Sequence, residues 1–67
     1  MIEIEINGEL AQVPDNLNVA GLLVHLGIDG GRVAVELNRE IVRQAEWESQ
    51  KIEPGARLAI VHFGGGG

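Results

Sequence analysis

The first thirteen residues constrain the fold more than any other stretch. Ile2, Ile4 and Ile6 alternate with Glu3 and Glu5, the period of a half-buried strand over Met1 to Asn7. Asn7-Gly8 comes next, the pair favoured in a two-residue type I′ turn because both positions accept φ > 0. This fixes the register: Ile6 faces Glu9, Ile4 faces Ala11 and Ile2 faces Val13. Ala11 and Val13 join the isoleucine face, while Leu10 and Gln12 lie beside Glu5 and Glu3 on the other. Pro14-Asp15-Asn16 then ends the hairpin as turn chemistry.

An amphipathic hairpin needs a cover, and the next segment supplies one. Asn18 is an N-cap for a short helix from Val19 to about Leu26. Val19, Leu22, Leu23 and Leu26 form one apolar stripe at i, i+3, i+4 and i+7. Gly27 suits the left-handed position that ends helices, with Ile28 packing back on Leu22 or Leu23. Gly21 inside the helix costs up to about 1 kcal/mol relative to Ala, so this helix depends on packing.

The remaining segments read as strands and turns. Asp29-Gly30-Gly31 is a flexible turn, without the spacing or the Lys of a phosphate-binding P-loop. Val33, Val35 and Leu37 alternate with Ala34 and Glu36 in a third strand. Asn38-Arg39-Glu40 turns the chain, and Ile41-Val42 forms a short fourth strand. Arg43 to Lys51 is polar around Trp47, which suits a surface loop with a helical turn anchored by one buried aromatic. After the tight turn at Glu53-Pro54-Gly55, Arg57 to Phe63 makes the last strand. Leu58 and Ile60 take one face of it; Ala59, Val61 and Phe63 take the other.

Two strands, one helix and two or three further strands make an α+β plan. With the first and last strands side by side in the centre, the fold is a β-grasp: a mixed sheet of four to five strands packed on one helix. The expected core is Ile2, Ile4, Ile6, Leu22, Leu26, Val35, Leu37, Leu58 and Ile60.

Composition narrows the chemistry. At 67 residues the chain is one small domain with little room for an internal active site. The absence of Cys excludes disulfides, thiol chemistry and Cys-ligated metal sites. Ten acidic residues against five basic ones give a formal charge of −5, which disfavours nucleic acid and favours basic protein partners. No basic lead or h-region opens the sequence, and no apolar run approaches the ~20 residues of a membrane span. The expectation is a cytoplasmic protein with neither a membrane nor a nucleic-acid partner.

The residues after the last strand carry the functional reading. Gly64, Gly65, Gly66 and Gly67 offer no side chain, so the group presented is an arm with a carboxylate at its end. Four extended glycines reach at most about 13–14 Å, and freedom in φ lets them thread a narrow channel. Gly67 is then the functional group and the domain its handle. Glycine-rich ends also serve as linkers, and that reading stands beside the first.

Val33-Ala34-Val35-Glu36-Leu37-Asn38, Glu40-Ile41-Val42, Glu46-Trp47 and Ile60-Val61-His62-Phe63 ahead of the glycines resemble the ThiS family. These are the β-grasp sulfur carriers of thiamin biosynthesis, and the resemblance takes in Ile2 to Gly8, hence nearly the whole chain. It implies a β-grasp domain over residues 1–63 and a flexible glycine tail over 64–67. The chain differs from the usual pattern at Arg39, at Arg43-Gln44, at Gly64 and in lacking helix acids near Gly21 and Val24.

The resemblance also implies the chemistry of Gly67. A carboxylate is an anion at neutral pH and a poor electrophile, so it needs activation. A ThiF-like adenylating enzyme would use ATP to make the acyl-adenylate. A sulfur-donor system would then supply a persulfide that displaces AMP and leaves a thiocarboxylate. A ThiG-like thiazole synthase would take the sulfur and return the carboxylate. The carrier itself would bind no cofactor and no metal, and would be a recycled co-substrate rather than an enzyme. Three other functions share these features: a molybdopterin-synthase-small-subunit-like carrier, a ubiquitin-like modifier joined to lysines, and a β-grasp interaction module with an idle tail.

Alternation adds a partner-binding patch. With Leu58 and Ile60 inward, Ala59, Val61 and Phe63 turn to the sheet face the helix cannot cover, and Ala34 shares it. A partner gripping this patch, with an acidic rim to steer it, would aim the arm. Other candidates carry less. His25 and His62 lack further ligands at metal-binding spacing, and Glu46 and Glu48 read as solvated charges flanking Trp47.

Overall fold

In the computed structural model, which describes residues 1–63, the hairpin forms as its alternation requires. Strands β1 (Ile2–Ile6) and β2 (Glu9–Val13) are antiparallel, with Ile2 opposite Val13, Ile4 opposite Ala11 and Ile6 opposite Glu9. Asn7 and Gly8 turn between them at φ 51° and 85°, the two positive values a type I′ turn needs.

Helix α1 (Val19–Leu26) begins where the Asn18 side chain accepts from the Gly21 N–H at 2.7 Å. The Val19 and Ala20 N–H groups, which have no partner within a helix, donate to the carbonyls of Gln50 (2.9 Å) and Trp47 (3.2 Å). Gly27 closes the helix at φ 72°, and the Ile28 N–H reaches the Leu23 carbonyl at 3.0 Å. Both ends are therefore capped by this chain's own groups.

Strands β3 (Val33–Leu37), β4 (Glu40–Val42) and β5 (Arg57–His62) complete a five-stranded sheet in the order β2-β1-β5-β3-β4. The first and last strands are neighbours and parallel; every other pairing is antiparallel. This is the β-grasp, an α+β fold. Two boundaries differ from expectation. The β3–β4 turn takes only Asn38 and Arg39, at φ 52° and 72°, so Glu40 opens β4 rather than belonging to the turn. Strand β5 stops at His62, although the Phe63 N–H still donates to the Arg32 carbonyl at 3.0 Å.

The core lies between α1 and the inner sheet face. Ile4, Leu22, Val35, Leu58 and Ile60 are buried there, together with Val13, Val19, Leu23, Val33 and Val42. Four residues expected in it, Ile2, Ile6, Leu26 and Leu37, are half-buried and pack along its margin. Ile52 and Ala56 are buried although no periodicity singles them out. Trp47 is buried, and its indole N–H donates to the Val42 carbonyl at 2.8 Å.

Asp29-Gly30-Gly31 is a defined turn rather than a flexible one. Residues Gly30–Arg32 make a 3₁₀ turn, and the Asp29 carboxylate accepts from the Gly31 N–H at 3.0 Å. Trp47 explains the glycine: a Cβ at Gly30 would lie 2.8 Å from Trp47 Cζ3. The loop is shaped by that ring.

Candidate functional site

Strand β5 occupies the middle of the sheet, and its C-terminal end points the chain toward residues 64–67. Gly64, Gly65, Gly66 and Gly67 lie outside the described residues. The domain that would aim them is described up to Phe63.

Alternation along β5 separates two environments. Leu58 and Ile60 are buried under α1; Val61 and Phe63 are 57% and 54% exposed on the opposite side. Ala59 is half-buried on that same outer face, where Glu36 is its cross-strand partner. Ala34, exposed, stands directly opposite Val61. The sheet thus gathers Ala34, Ala59 and Val61 into one patch, and Phe63 continues it beyond the strand.

Sequence reasoning misses Ile41 on this face and places Leu10 there without joining it to the patch. Ile41, 71% exposed, pairs with Glu36 and extends the patch to the β4 edge. Leu10, 70% exposed, pairs with Glu5 at the far edge. For Ile41 a signal exists: Val42 turns inward, so its neighbour must turn outward.

The rim of the patch carries both signs, with Glu3, Glu5 and Glu36 on this face beside arginines. Arg57 begins β5 on this face, with its Nε 3.7 Å from the Glu5 carboxylate. Arg39 sits in the β3–β4 turn, and the two line one shallow depression with Glu5, Glu36 and Ala59. Arg43 comes after Val42 in extended conformation (φ −67°, ψ 148°) and is exposed. Arg32 stands opposite Phe63 through the 3.0 Å backbone bond. Net charge summed over a sequence says nothing about placement, and here Arg39 and Arg57 share one depression with Glu5 and Glu36.

The remaining candidates stay apart. His25 is exposed in the last turn of α1, and His62 is exposed at the end of β5 opposite Val33. Among the described residues no group of three or more His, Asp or Glu is placed to hold a metal ion. Glu46 and Glu48 are exposed on either side of buried Trp47. The Gly31 N–H, one of the loop donors a phosphate would need, is already occupied by Asp29. No helix among the described residues is long and apolar enough to cross a membrane.

Known proteins share both this pattern and this shape. A model of the ThiS family matches residues 3–67. The crystal structure of thiamine biosynthesis protein ThiS from Geobacter metallireducens superposes with a TM-score of 0.87 at 29% identity, covering 98% of this chain and 100% of that one. A solution structure of a thiamine biosynthesis protein from the same organism gives 0.83 at 29% identity, covering 98% and 88%. Two thiazole synthases match in sequence. That of Paramagnetospirillum magneticum is 39% identical over 66 residues, and that of Magnetococcus marinus 32% over 66 residues. In each case the match takes in 98% of this chain but only 20% of the relative. The chain spans about one fifth of the length of these curated relatives.

Proposed function

This chain belongs to the ThiS family, and from that premise we propose that it is a sulfur carrier of thiamin biosynthesis, working through the carboxyl group of Gly67. An adenylating partner of the ThiF kind activates that carboxylate with ATP. The carboxylate oxygen bonds to the α-phosphorus and pyrophosphate leaves. The outer sulfur of a persulfide donor then forms a C–S bond at the carbonyl as AMP departs, giving an acyl disulfide, and a thiol of the donor system cleaves its S–S bond, becoming a disulfide and releasing the thiocarboxylate. Glycine suits the position because a Cβ would crowd both the channel and the attack on the carbonyl. In this reading the partners catalyse activation and sulfur transfer, and the chain is the carrier.

The observation that best supports this reading is the path of β5. One strand carries the outward patch of Ala59 and Val61, reaches Phe63, and leads directly into the glycines. A partner that seats the patch also fixes where the arm goes. The two thiazole synthase relatives support the choice of consumer, since each holds a segment like this chain within a protein bearing that name. A carrier serving molybdopterin synthesis or a lysine-linked modifier would share the activation step and differ in what receives Gly67.

Intact mass spectrometry tests the proposal. Incubation with a ThiF-like enzyme, ATP and a persulfide donor should replace one oxygen of the chain by sulfur, a gain of about 16 Da. Removing Gly66 and Gly67 should abolish both this gain and pyrophosphate exchange. Exchange that persists in the truncated chain would overturn the assignment.

A further inference from the structure

Asn7-Gly8 carries a reaction that the carrier reading does not use. The backbone nitrogen after an asparagine attacks its carboxamide most readily when it belongs to glycine, since no side chain shields it and the backbone bends freely. Of the four asparagines in the chain only Asn7 precedes a glycine; Asn16, Asn18 and Asn38 precede Leu17, Val19 and Arg39. Burial gives no shelter here. Asn7 and Gly8 are both exposed, and a Cβ at Gly8 would meet nothing within 4 Å.

Geometry does restrain the pair. The ring that would form joins the Gly8 nitrogen to Asn7 Cγ, so it needs rotation about both the Cα–C and the Cα–Cβ bonds of Asn7. The turn fixes the first: a type I′ turn keeps ψ of its first central residue at about 30°, which swings the Gly8 nitrogen away from Cβ. The Asn7 N–H adds an anchor on the Leu58 carbonyl at 2.9 Å. Ile60 fixes the second, because its N–H and carbonyl hold the carboxamide oxygen and nitrogen. Ile60 is itself buried in the central strand, opposite Val35. A labile side chain is thus held out of reach by β5.

We propose that Asn7-Gly8 is a self-modification site guarded by β5: seated on Ile60 the carboxamide stays intact, and when β5 lifts it cyclises and the clamp is lost for good. The Gly8 nitrogen gives its proton to a solvent base and bonds to Asn7 Cγ. The C–NH₂ bond breaks, and ammonia leaves with a proton from water. Water then opens the resulting imide. Opening at Cγ leaves aspartate; opening at the α-carbonyl leaves isoaspartate, with the main chain running through Cβ. Nothing is oxidised or reduced. Either product has a carboxylate where the carboxamide stood, so the donor to the Ile60 carbonyl is gone. Isoaspartate also adds a backbone atom where the turn sets the hairpin register. The modification is a one-way record that the strand leading to the glycines has opened.

The experiment follows deamidation by peptide mass spectrometry in mildly alkaline buffer, with chromatography separating aspartate from isoaspartate. Four samples are compared: the parent folded, the parent in urea, Leu58→Ala, and Arg39→Gly both folded and in urea. Asn7 should react at least about tenfold more slowly in the folded parent than in urea. Leu58→Ala loosens β5 from within and should speed the reaction at Asn7 in native buffer, whether or not it stays folded. Arg39→Gly puts a glycine after Asn38, in a second two-residue turn of positive φ. There Oδ1 accepts from the Arg57 N–H, but among the described residues the carboxamide nitrogen donates to nothing. Protection, the rate in urea over the rate when folded, should be several-fold smaller at Asn38 than at Asn7. Equal or greater protection at Asn38 would overturn the part given to Ile60. Equal rates at Asn7 in the parent and Leu58→Ala would overturn the link to strand opening. Asn7 reacting as fast folded as in urea would overturn the guard, and an inert Asn7 in urea would overturn the site.

Discussion

The side chain of Asn7 holds the peptide groups of Ile60 from both sides: its Oδ1 accepts from the Ile60 N–H at 2.8 Å, and its Nδ2 donates to the Ile60 carbonyl at 3.2 Å. Strand β1 has already ended at Ile6, and its backbone pairing with β5 covers only Glu5 with Arg57 and Ile6 with Leu58. The carboxamide therefore stands in for a further residue of strand. Asn38 does the same from the other flank. Its N–H donates to the Arg57 carbonyl at 2.7 Å, and its Oδ1 accepts from the Arg57 N–H at 3.0 Å. Asparagine fits both places because it tolerates the left-handed backbone and its side-chain oxygen accepts from the strand, the donor being the carboxamide at Asn7 and the backbone N–H at Asn38.

Replacing Asn7 should separate backbone from side chain. Asn7→Gly keeps the turn and removes both bonds to Ile60, and should cost about 1–3 kcal/mol. Asn7→Ala should lose about 1 kcal/mol more, because alanine resists φ > 0. Urea unfolding midpoints measure both. A glycine variant within about 0.5 kcal/mol of the parent would show the clamp to be idle.

Gly30→Ala should destabilise the fold by about 1–3 kcal/mol, since its Cβ drives into the rigid indole of Trp47. Gly31→Ala should cost less, its Cβ meeting only Asp29 Oδ1 at 3.3 Å. Tryptophan emission offers an internal check. It should shift in Gly30→Ala and stay put in Gly31→Ala.

Arg39→Gly should raise stability by about 1 kcal/mol, because the turn already has the conformation glycine prefers. Chemical denaturation reads this directly. A loss of stability instead would mean that contacts of the arginine stem outweigh the strain.

Ile4 is 1% exposed at the centre of β1, whereas Ile2 is half-buried. Ile4→Ala should cost about 2–5 kcal/mol and Ile2→Ala distinctly less. In so small a domain the first change should lower the melting temperature sharply. Unchanged melting of Ile4→Ala would invert the assignment of faces.

The strand faces are legible in the sequence wherever period and turn chemistry agree. Ile2 to Val13 and Val19 to Gly27 carry both signals, so register, cap and stop come from local rules. Ile52 and Ala56 carry neither, being lone apolar residues in polar surroundings, and only tertiary contact identifies them as core. Gly30 reads as freedom in a string and as a close approach in space, because its reason is an indole 17 residues away. The asparagine clamps are hidden likewise: turn propensity explains Asn7, but not its grip on a residue 53 positions distant. Of the patch, alternation gives Ala34, Ala59, Val61 and Phe63 their common face. The mixed charge around it depends on which strands are neighbours, and a single sequence does not state that.

The central place of β5 has a mechanical consequence. Tension applied through the glycines enters the domain at the end of this strand and runs along its axis. The five register pairs from Val33–His62 to Leu37–Leu58 lie across that axis, so the load falls on them together, in shear, instead of unzipping them in turn. Asn7 and Asn38 brace the same strand farther back, α1 stays off the load path, and the Gly30–Arg32 turn meets the load first, through the Phe63 bond to the Arg32 carbonyl. A domain wired this way is a tow-hook: a pull on its C-terminal end is met by several bonds at once.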